Sequence, residues 1–221
     1  MLTDPGRWPR FVMAALLAAT LAAPTHFARA QSPTEDLFIA VANDRVADVR
    51  NLLARGADPN GVDRAGDTPL IVAARSDSPA SLDVLLAARA AVNTRNRYGE
   101  TALVLAALGG KIDMVKKLRM RGADVNQPGW TALIYAATGG HDEVVRYLLA
   151  EGADINATSP NGTTALMMAV REGRVSTTDL LIARGANVNH RNENGASALD
   201  WAKRGSERRL AEQLRRAGAR D

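Results

Sequence analysis

Apolar residues along most of the chain recur in two phrases, each of which fits one face of a short helix. In the first, a hydroxyl residue precedes leucine and paired alanines, as in Thr68-Pro-Leu-Ile-Val-Ala-Ala74. In the second, valines and leucines stand at helical spacing, as in Val144, Val145, Leu148 and Leu149. A threonine hydroxyl caps a helix N-terminus, and proline suits the first helical position because its missing N–H costs nothing there. The pattern therefore predicts pairs of short amphipathic helices.

Both phrases return with a fixed period. A Gly-Ala-Asp-x-Asn-like phrase ends at Asn60, Asn93, Asn126, Asn156 and Asn189, and its step is constant except for a shorter one after Asn126. The helix-start phrase keeps the same step, at Thr68, Thr101, Thr131, Thr164 and Ser197. A glycine just after the second helix, such as Gly152, fits a left-handed C-cap. One such unit cannot bury its own apolar face, so we expect neighbouring units to stack.

Together the phrases resemble the ankyrin repeat over about Thr34 to Asp221. The resemblance implies an all-α ankyrin-repeat solenoid, in which each repeat of about 33 residues contributes a helix-turn-helix and a hairpin loop. A single ankyrin-repeat domain is expected over residues 31–221. Its five repeats and C-terminal capping repeat are expected over about residues 34–62, 63–95, 96–126, 127–158, 159–191 and 192–221.

Three departures from the family pattern stand out. The family's histidine after Thr-Pro-Leu is replaced in every copy, by Ile71, Val104, Ile134, Met167 and Asp200. We therefore expect the polar network of that histidine to be absent. Arg89 occupies a C-cap glycine position, where a left-handed backbone would cost roughly 1–2 kcal/mol. Three residues are missing between Asn126 and Thr131, so Gln127-Pro-Gly-Trp130 is predicted to form a truncated finger.

The start of the chain, up to Ala30, has a different character. A short polar segment containing two arginines leads into the apolar run Phe11–Ala23, and Ala28-Arg-Ala30 follows. This is the order of a secretory signal peptide, with cleavage expected between Ala30 and Gln31. An uncleaved membrane anchor is the alternative, although this apolar run is shorter than the roughly 20 residues that cross a bilayer. We expect a periplasmic or secreted protein of bacterial type, with a eukaryotic secretory route left open.

Composition and charge exclude several classes of function. The 221-residue chain has no cysteine, which rules out disulfides, thiolate zinc sites and a cysteine nucleophile. Past Ala30 the net charge is +2, of which residues 203–221 carry +4, so the rest of the body is slightly acidic. A nucleic-acid-binding protein would carry a basic stripe along its body, so we expect no nucleic-acid partner.

Residues that could perform chemistry are few. Past the predicted cleavage site the histidines are His141 and His190, at different repeat positions. The resemblance explains His141 as a structural turn residue, and His190 is expected in a solvated loop. Three hairpin acids that lack the spacing of a calcium loop are also expected in solvent: Asp58, Asp63 and Asp67. We therefore expect no enzyme, no metal site and no cofactor.

The resemblance implies that a partner docks on the hairpin tips and on the exposed face of the first helices. The tip residues expected to bind it are Arg64, Asp67, Arg97, Tyr98, Glu100, Trp130, Asn161, Glu193 and Asn194. The helix-end residues are Arg75, Arg171, Glu172 and Arg204. Aromatic residues and arginines dominate interface energies, so Tyr98 and Trp130 are the expected anchors. Alternatively, Trp130 folds over the truncated finger and fills the gap left by the deletion.

The sequence thus predicts a monomeric, non-enzymatic module that binds another protein. Resemblance to exported bacterial proteins of this type implies an accessory role in envelope stress defence or in immunity against delivered toxins. A second hypothesis is a structural or membrane-surface role through the basic run from Lys203 to Arg216. Charge on the last helix is also what a capping repeat needs for solubility, and the sequence leaves the choice open.

Overall fold

The computed structural model of the protein describes residues 32–205 and 207–220. Residues 31–221 form one compact unit. The predicted signal peptide, residues 1–30, and its predicted cleavage between Ala30 and Gln31 lie outside the described residues.

Twelve α-helices alternate between two layers in the described part of the chain. The first layer contains α1 (Pro33–Ala42), α3 (Pro69–Arg75), α5 (Ala102–Leu108), α7 (Ala132–Gly139), α9 (Ala165–Arg171) and α11 (Ala198–Arg204). The second layer contains α2 (Val46–Ala54), α4 (Pro79–Ala87), α6 (Ile112–Met120), α8 (Asp142–Ala150), α10 (Val175–Ala183) and α12 (Arg208–Arg216). Each first-layer helix packs against the next one and against its own second-layer partner. The predicted all-α solenoid is confirmed. None of these helices is long and apolar enough to cross a bilayer.

The hydroxyl caps lie where the sequence predicts them. The N–H of Ile71 donates to Thr68 Oγ1 at 3.3 Å, and Thr101, Thr131 and Thr164 accept the equivalent bond. At Ser197 the cap is reciprocal, because the Asp200 carboxylate accepts the N–H of Ser197 at 2.9 Å. That backbone hydrogen bond is the main reason why the pKa of Asp200 is lowered. The cap stands at the same position in every repeat. Residues that lie the same number of positions from their own cap therefore share one face of the stack.

The core lies along the first layer and between the layers. Ala102–Ala107, Ala132–Thr138 and Ala165–Val170 are buried throughout, so the alanines let these helices stack closely. The second-layer helices bury one stripe, such as Val144 and Leu148 of α8, and expose the opposite side. Helices this short are marginal in isolation, so stacking supplies most of the stability.

Left-handed residues close the second-layer helices, as predicted. Gly152 has φ of 86°, and Arg89 adopts φ of 59° in the equivalent position. This confirms the left-handed backbone predicted for Arg89, where a residue other than glycine carries a steric penalty. Asp44 and Asp77 are also left-handed, with φ of 50° and 57°, in turns between first-layer and second-layer helices.

Asparagine side chains join each hairpin to the next. The N–H of Asp154 donates to Asn126 Oδ1 at 2.8 Å, and Asn126 Nδ2 donates to the carbonyl of Gly152 at 2.9 Å. We call the residues that accept this inter-repeat bond the asparagine ladder: Asn60, Asn93, Asn126, Asn156 and Asn189. In this chain other residues replace the family's histidine after the helix cap. The asparagine ladder provides hydrogen bonds between neighbouring loops.

Both histidines beyond residue 31 bridge neighbouring repeats. His141 Nε2 lies 2.8 Å from the carbonyl oxygen of Leu108, which gives His141 the structural role implied by the resemblance. The prediction of a solvated His190 is wrong, because this residue is half-buried and its Nε2 lies 2.8 Å from the carbonyl oxygen of Gly162. Across residues 32–205 and 207–220, no cluster of three or more histidine, aspartate or glutamate side chains could hold a metal ion.

Candidate partner-binding surface

Side chains at three register positions meet on one face of the first layer. The rings of Trp130, one residue before its helix cap, and Tyr135, four residues after it, lie 5.8 Å apart. Arg171, seven residues after its cap, lies 5.8 Å from the ring of Trp201, four residues after the next cap. We call this surface the first-helix face. Its exposed or half-buried residues are Val72, Arg75, Glu100, Leu108, Trp130, Arg171, Trp201 and Arg204. The same positions hold buried residues beneath them: Asp67, Leu105, Tyr135, Thr138, Thr163 and Met168.

The N-terminal end of the first-helix face is a cluster of paired charges. Asp67 is fully buried, and it accepts hydrogen bonds from Arg75 Nη2 at 3.1 Å and from Asn96 Nδ2 at 2.8 Å. Asn96 Nδ2 also donates to Glu100 at 2.9 Å, and Glu100 lies 3.5 Å from Arg75 Nη2. Burial alone would lower the pKa of Arg75, but the hydrogen bond and charge of Asp67 outweigh it and leave the pKa raised.

Two predictions about Asp67 are therefore wrong. This acid was expected in solvent at a hairpin tip, where it would bind a partner. Instead its carboxylate lies below the surface, because Arg75 folds back over the start of α3 and Asn96 reaches across from the next repeat. Arg75 and Glu100 keep part of their side chains exposed, but both are engaged in this cluster.

The middle of the first-helix face is apolar and aromatic. Trp130 is half-buried on the truncated finger, where Gln127 Nε2 donates to its carbonyl oxygen at 3.1 Å. Its ring packs against Tyr135, which is 8% exposed. Burial, with a smaller contribution from the charge of Glu100, raises the pKa of Tyr135 to about 12. The Trp130 side chain thus packs against α7 and still presents part of its surface to solvent.

At the C-terminal end the face becomes aromatic and cationic. The guanidinium of Arg171 lies over the Trp201 ring, in the geometry of a cation–π contact. Arg171 Nε is also 3.7 Å from the Glu172 carboxylate, and both side chains are about one-quarter exposed. Arg204 follows on α11 and is exposed. A partner lying along the face would therefore meet paired charges, then apolar rings, then arginines.

The remaining predicted tip residues are all exposed: Arg64, Arg97, Tyr98, Asn161, Glu193 and Asn194. Tyr98 is 52% exposed, as the sequence suggested. Backbone bonds join two pairs of fingers, from Arg97 N to the carbonyl of Ala65 and from Glu193 N to that of Asn161, both at 3.2 Å. Each of these two pairs of fingers is therefore joined directly at its tips.

Sequence reasoning missed Tyr135 and Trp201. The signal was available, because both stand four residues after a hydroxyl cap, at the position that Leu105 occupies in its own repeat. The structure brings Tyr135 to Trp130 and Trp201 to Arg171, so two of the predicted binding residues each have an aromatic neighbour.

Comparisons with known proteins agree with this architecture. The family model for ankyrin repeats matches three overlapping stretches, residues 37–128, 96–159 and 133–220. The crystal structure of the human ASB11 ankyrin repeat domain is similar, with 28% sequence identity, a TM-score of 0.77, and coverage of 83% of this chain and 84% of that one. An ankyrin repeat domain from Acinetobacter baumannii shares 31% identity with a TM-score of 0.73, over 84% of this chain and 98% of that one. No curated protein matches the chain by sequence.

Proposed function

Since the chain belongs to the ankyrin-repeat family, whose fold is typical of protein–protein interaction modules, we propose that it binds a partner protein on its first-helix face and hairpin tips. The proposed activity is binding without catalysis. The charged groups at the N-terminal end of this face are committed to one another, as in the Asp67–Arg75 pair. The rest of the face offers rings, aliphatic side chains and arginines, which are the usual anchors of a protein interface.

The observation that carries this proposal is the half-buried Trp130, whose ring packs at a tilt of 54° against the ring of Tyr135. A tryptophan held in place by a second ring loses little conformational freedom on binding and offers a large apolar area. Arg171 adds a guanidinium further along the same face, where Trp201 holds it. A partner that covers the middle of the face would bury Trp130 completely, and Tyr98 at the neighbouring tip would contribute a second aromatic contact.

The test is affinity capture from a native envelope extract, followed by measurement of the affinity for each protein retained. Tyr98→Ala combined with Trp130→Ala should abolish capture, with a loss of about 2 kcal/mol or roughly thirtyfold in affinity. The matched control is Met120→Ala, which removes an apolar side chain that is 75% exposed at the end of α6 in the other layer. This control should retain the partner as the unaltered protein does.

Two results would count against the proposal. One is retention of the same proteins by the double variant and the unaltered protein, and the other is equal loss with Met120→Ala. Trp130→Ala removes a packing contact with Tyr135, so circular dichroism and the melting temperature must be checked for each variant. Tyr98→Ala alone, at an exposed tip, leaves the core untouched and supplies a second variant should the double one melt early.

We propose further that the protein acts outside the cytoplasm, in the periplasm or as a secreted monomer. The support is the sequence order of residues 1–30, with its apolar run Phe11–Ala23 and the small residues that end at Ala30. In that compartment the protein would serve as an accessory factor for an envelope protein, in stress defence or in immunity against delivered toxins.

Export can be tested apart from binding. The full chain is expressed in a bacterial host with a Sec pathway, the periplasmic fraction is collected, and the intact mass is measured. We expect a chain that begins at Gln31. A chain that begins at Met1 and remains in the membrane fraction would support the anchor alternative instead.

A further inference from the structure

The C-terminal end of the stack contains an open cleft with an excess of positive charge. The cleft has a volume of about 440 Å³ and lies between α11 and α12. Its lining consists of Ala202, Lys203, Arg208, Ala211, Glu212 and Arg215. We propose that this cleft binds an acidic segment of a partner protein, on a different surface from the first-helix face.

The positive charges of Arg208 and Arg215 are not cancelled by Glu207 and Glu212, the acids of α12 and its N-cap. Glu212 is the acidic residue of the lining, and its carboxylate lies 3.7 Å from Arg216 Nη2, outside the lining. Glu207, at the start of α12, directs its carboxylate toward Gly173 of the preceding repeat. The side chains of Arg208 and Arg215 have no hydrogen-bond or ion-pair partner among residues 32–205 and 207–220. Their guanidinium groups are therefore available to a ligand.

The spacing of the two arginines favours an extended chain over a single small anion. Arg208 and Arg215 stand seven residues apart on α12, two turns along the same side. Their backbones are therefore separated by about 10 Å along the helix axis. An extended peptide covers that distance in about three residues, so carboxylates along one segment can reach both arginines. A guanidinium binds a carboxylate through two parallel hydrogen bonds, which suits acidic side chains.

An anionic membrane is the other occupant that the charge alone would allow, and the structure disfavours it. Surfaces that lie on a bilayer combine basic residues with large apolar side chains that enter the lipid. The apolar members of this lining, Ala202 and Ala211, are small and buried. Large exposed apolar residues of the described chain lie elsewhere, at Ile39, Val62, Tyr98 and Met120.

Solubility alone does not account for the arrangement. A capping helix stays soluble with charges of both signs, whereas a surface of one sign attracts an oppositely charged partner. The exposed side of α12 carries four arginines and one glutamate. Two of the arginines line the cleft and the other two, Arg209 and Arg216, do not.

The experiment measures binding of a labelled polyglutamate peptide to the full protein by fluorescence anisotropy, at low and at physiological salt. Arg208→Glu with Arg215→Glu should weaken binding by about tenfold or more. Arg209→Glu with Arg220→Glu makes the same change in net charge at exposed positions outside the lining and leaves the Glu212–Arg216 pair intact, so it should weaken binding by less than about threefold. Vesicles of phosphatidylglycerol and phosphatidylcholine in equal parts, tested by co-sedimentation, should leave the protein in solution.

Three results would overturn the proposal: no binding of the peptide by the unaltered protein, equal losses in the two double variants, or binding of vesicles without binding of the peptide. Vesicle binding would point to the membrane-surface role. If circular dichroism shows that the glutamate variant melts early, Arg208→Gln with Arg215→Gln replaces it, with the same expected order of affinities. None of these variants alters Trp130 or Tyr98, so failure here leaves the proposed function separately testable.

Discussion

Asp67 and Arg75 stand eight residues apart in the chain, and their side chains form an ion pair that spans α3 from before its cap to its last residue. Asp67 is fully buried, while the Arg75 side chain is 34% exposed. The pair closes the N-terminal end of the first-helix face, and Asn96 connects it to the next repeat. It therefore stabilises both a single repeat and the junction between two.

Removing the arginine should leave a buried carboxylate without its cation. We expect Arg75→Ala to lower the free energy of unfolding by about 2 kcal/mol, less than a fully buried pair would lose because water reaches Arg75. Urea denaturation measures this change. The control is Arg97→Ala, which removes an exposed arginine from the adjacent hairpin and should change stability by less than about 0.5 kcal/mol. Equal stability of Arg75→Ala and the unaltered protein would show that the ion pair contributes nothing.

Replacing the left-handed Arg89 with glycine should stabilise the protein. Its φ of 59° carries a steric penalty that glycine lacks, and glycine costs some entropy in return. We expect Arg89→Gly to raise the free energy of unfolding by about 1 kcal/mol. Arg55→Gly is the matched control, because Arg55 follows α2 with φ of −87° and should gain nothing. A lower denaturation midpoint for Arg89→Gly would contradict the assignment of strain.

The environment of Tyr135 should make stability depend on alkaline pH. Its pKa is about 12, against 10.0 for an ordinary tyrosine, so the unfolded chain gives up this proton first as the pH rises. The stability that comes from burying the neutral phenol is complete below pH 10 and is lost between pH 10 and about 12. Melting temperatures across this window should fall less for Tyr135→Phe than for the unaltered protein.

Ultraviolet absorbance of the tyrosinate form provides a direct check on the same residue. Tyr135→Phe should remove the most alkaline part of the titration curve of the unaltered protein. If the curve keeps that part in the variant, the burial of Tyr135 is not what the structure indicates.

The asparagine ladder predicts unequal costs for chemically identical substitutions. Asn126 makes two inter-repeat hydrogen bonds through its side chain, whereas Asn156 makes one, accepting from the N–H of Asn187 at 2.9 Å. We expect Asn126→Ala to cost about 2 kcal/mol and Asn156→Ala about 1 kcal/mol. The two positions share the same turn, so backbone preference cancels in the comparison. Equal costs in urea denaturation would show that the second bond is not formed in solution.

Helix positions could be predicted from the sequence because they depend on neighbours within one repeat. The Thr68 hydroxyl, the proline after it and the apolar spacing of α3 act over a few residues, and the structure confirms each. The stacking of the repeats could be predicted from their recurrence, since an apolar face that recurs in every repeat must be covered by the next copy.

The candidate surface was harder to predict, because its details depend on contacts between repeats. Asp67 looked like a solvated hairpin acid, and only the approach of Asn96 from the following repeat and the return of Arg75 explain its burial. His190 was misplaced for the same reason, since its partner is the carbonyl of Gly162 in the preceding hairpin. The placement of the Trp130 side chain depends on how the backbone closes a three-residue deletion. No other repeat has this deletion, so the sequence offered no comparison.

The backbone after α12 has the same form as the links inside the stack. Gly218 is left-handed with φ of 92°, the N–H of Ala219 returns to the carbonyl of Leu214 at 2.9 Å, and Asn189 accepts the N–H of Arg220 at 2.9 Å. A further repeat grafted after Arg220 would continue from a backbone that already follows the path of the links between internal repeats. The second-layer helix of that repeat would lie beside the arginines of α12, so a graft with acidic residues there should dock and one with basic residues should be repelled.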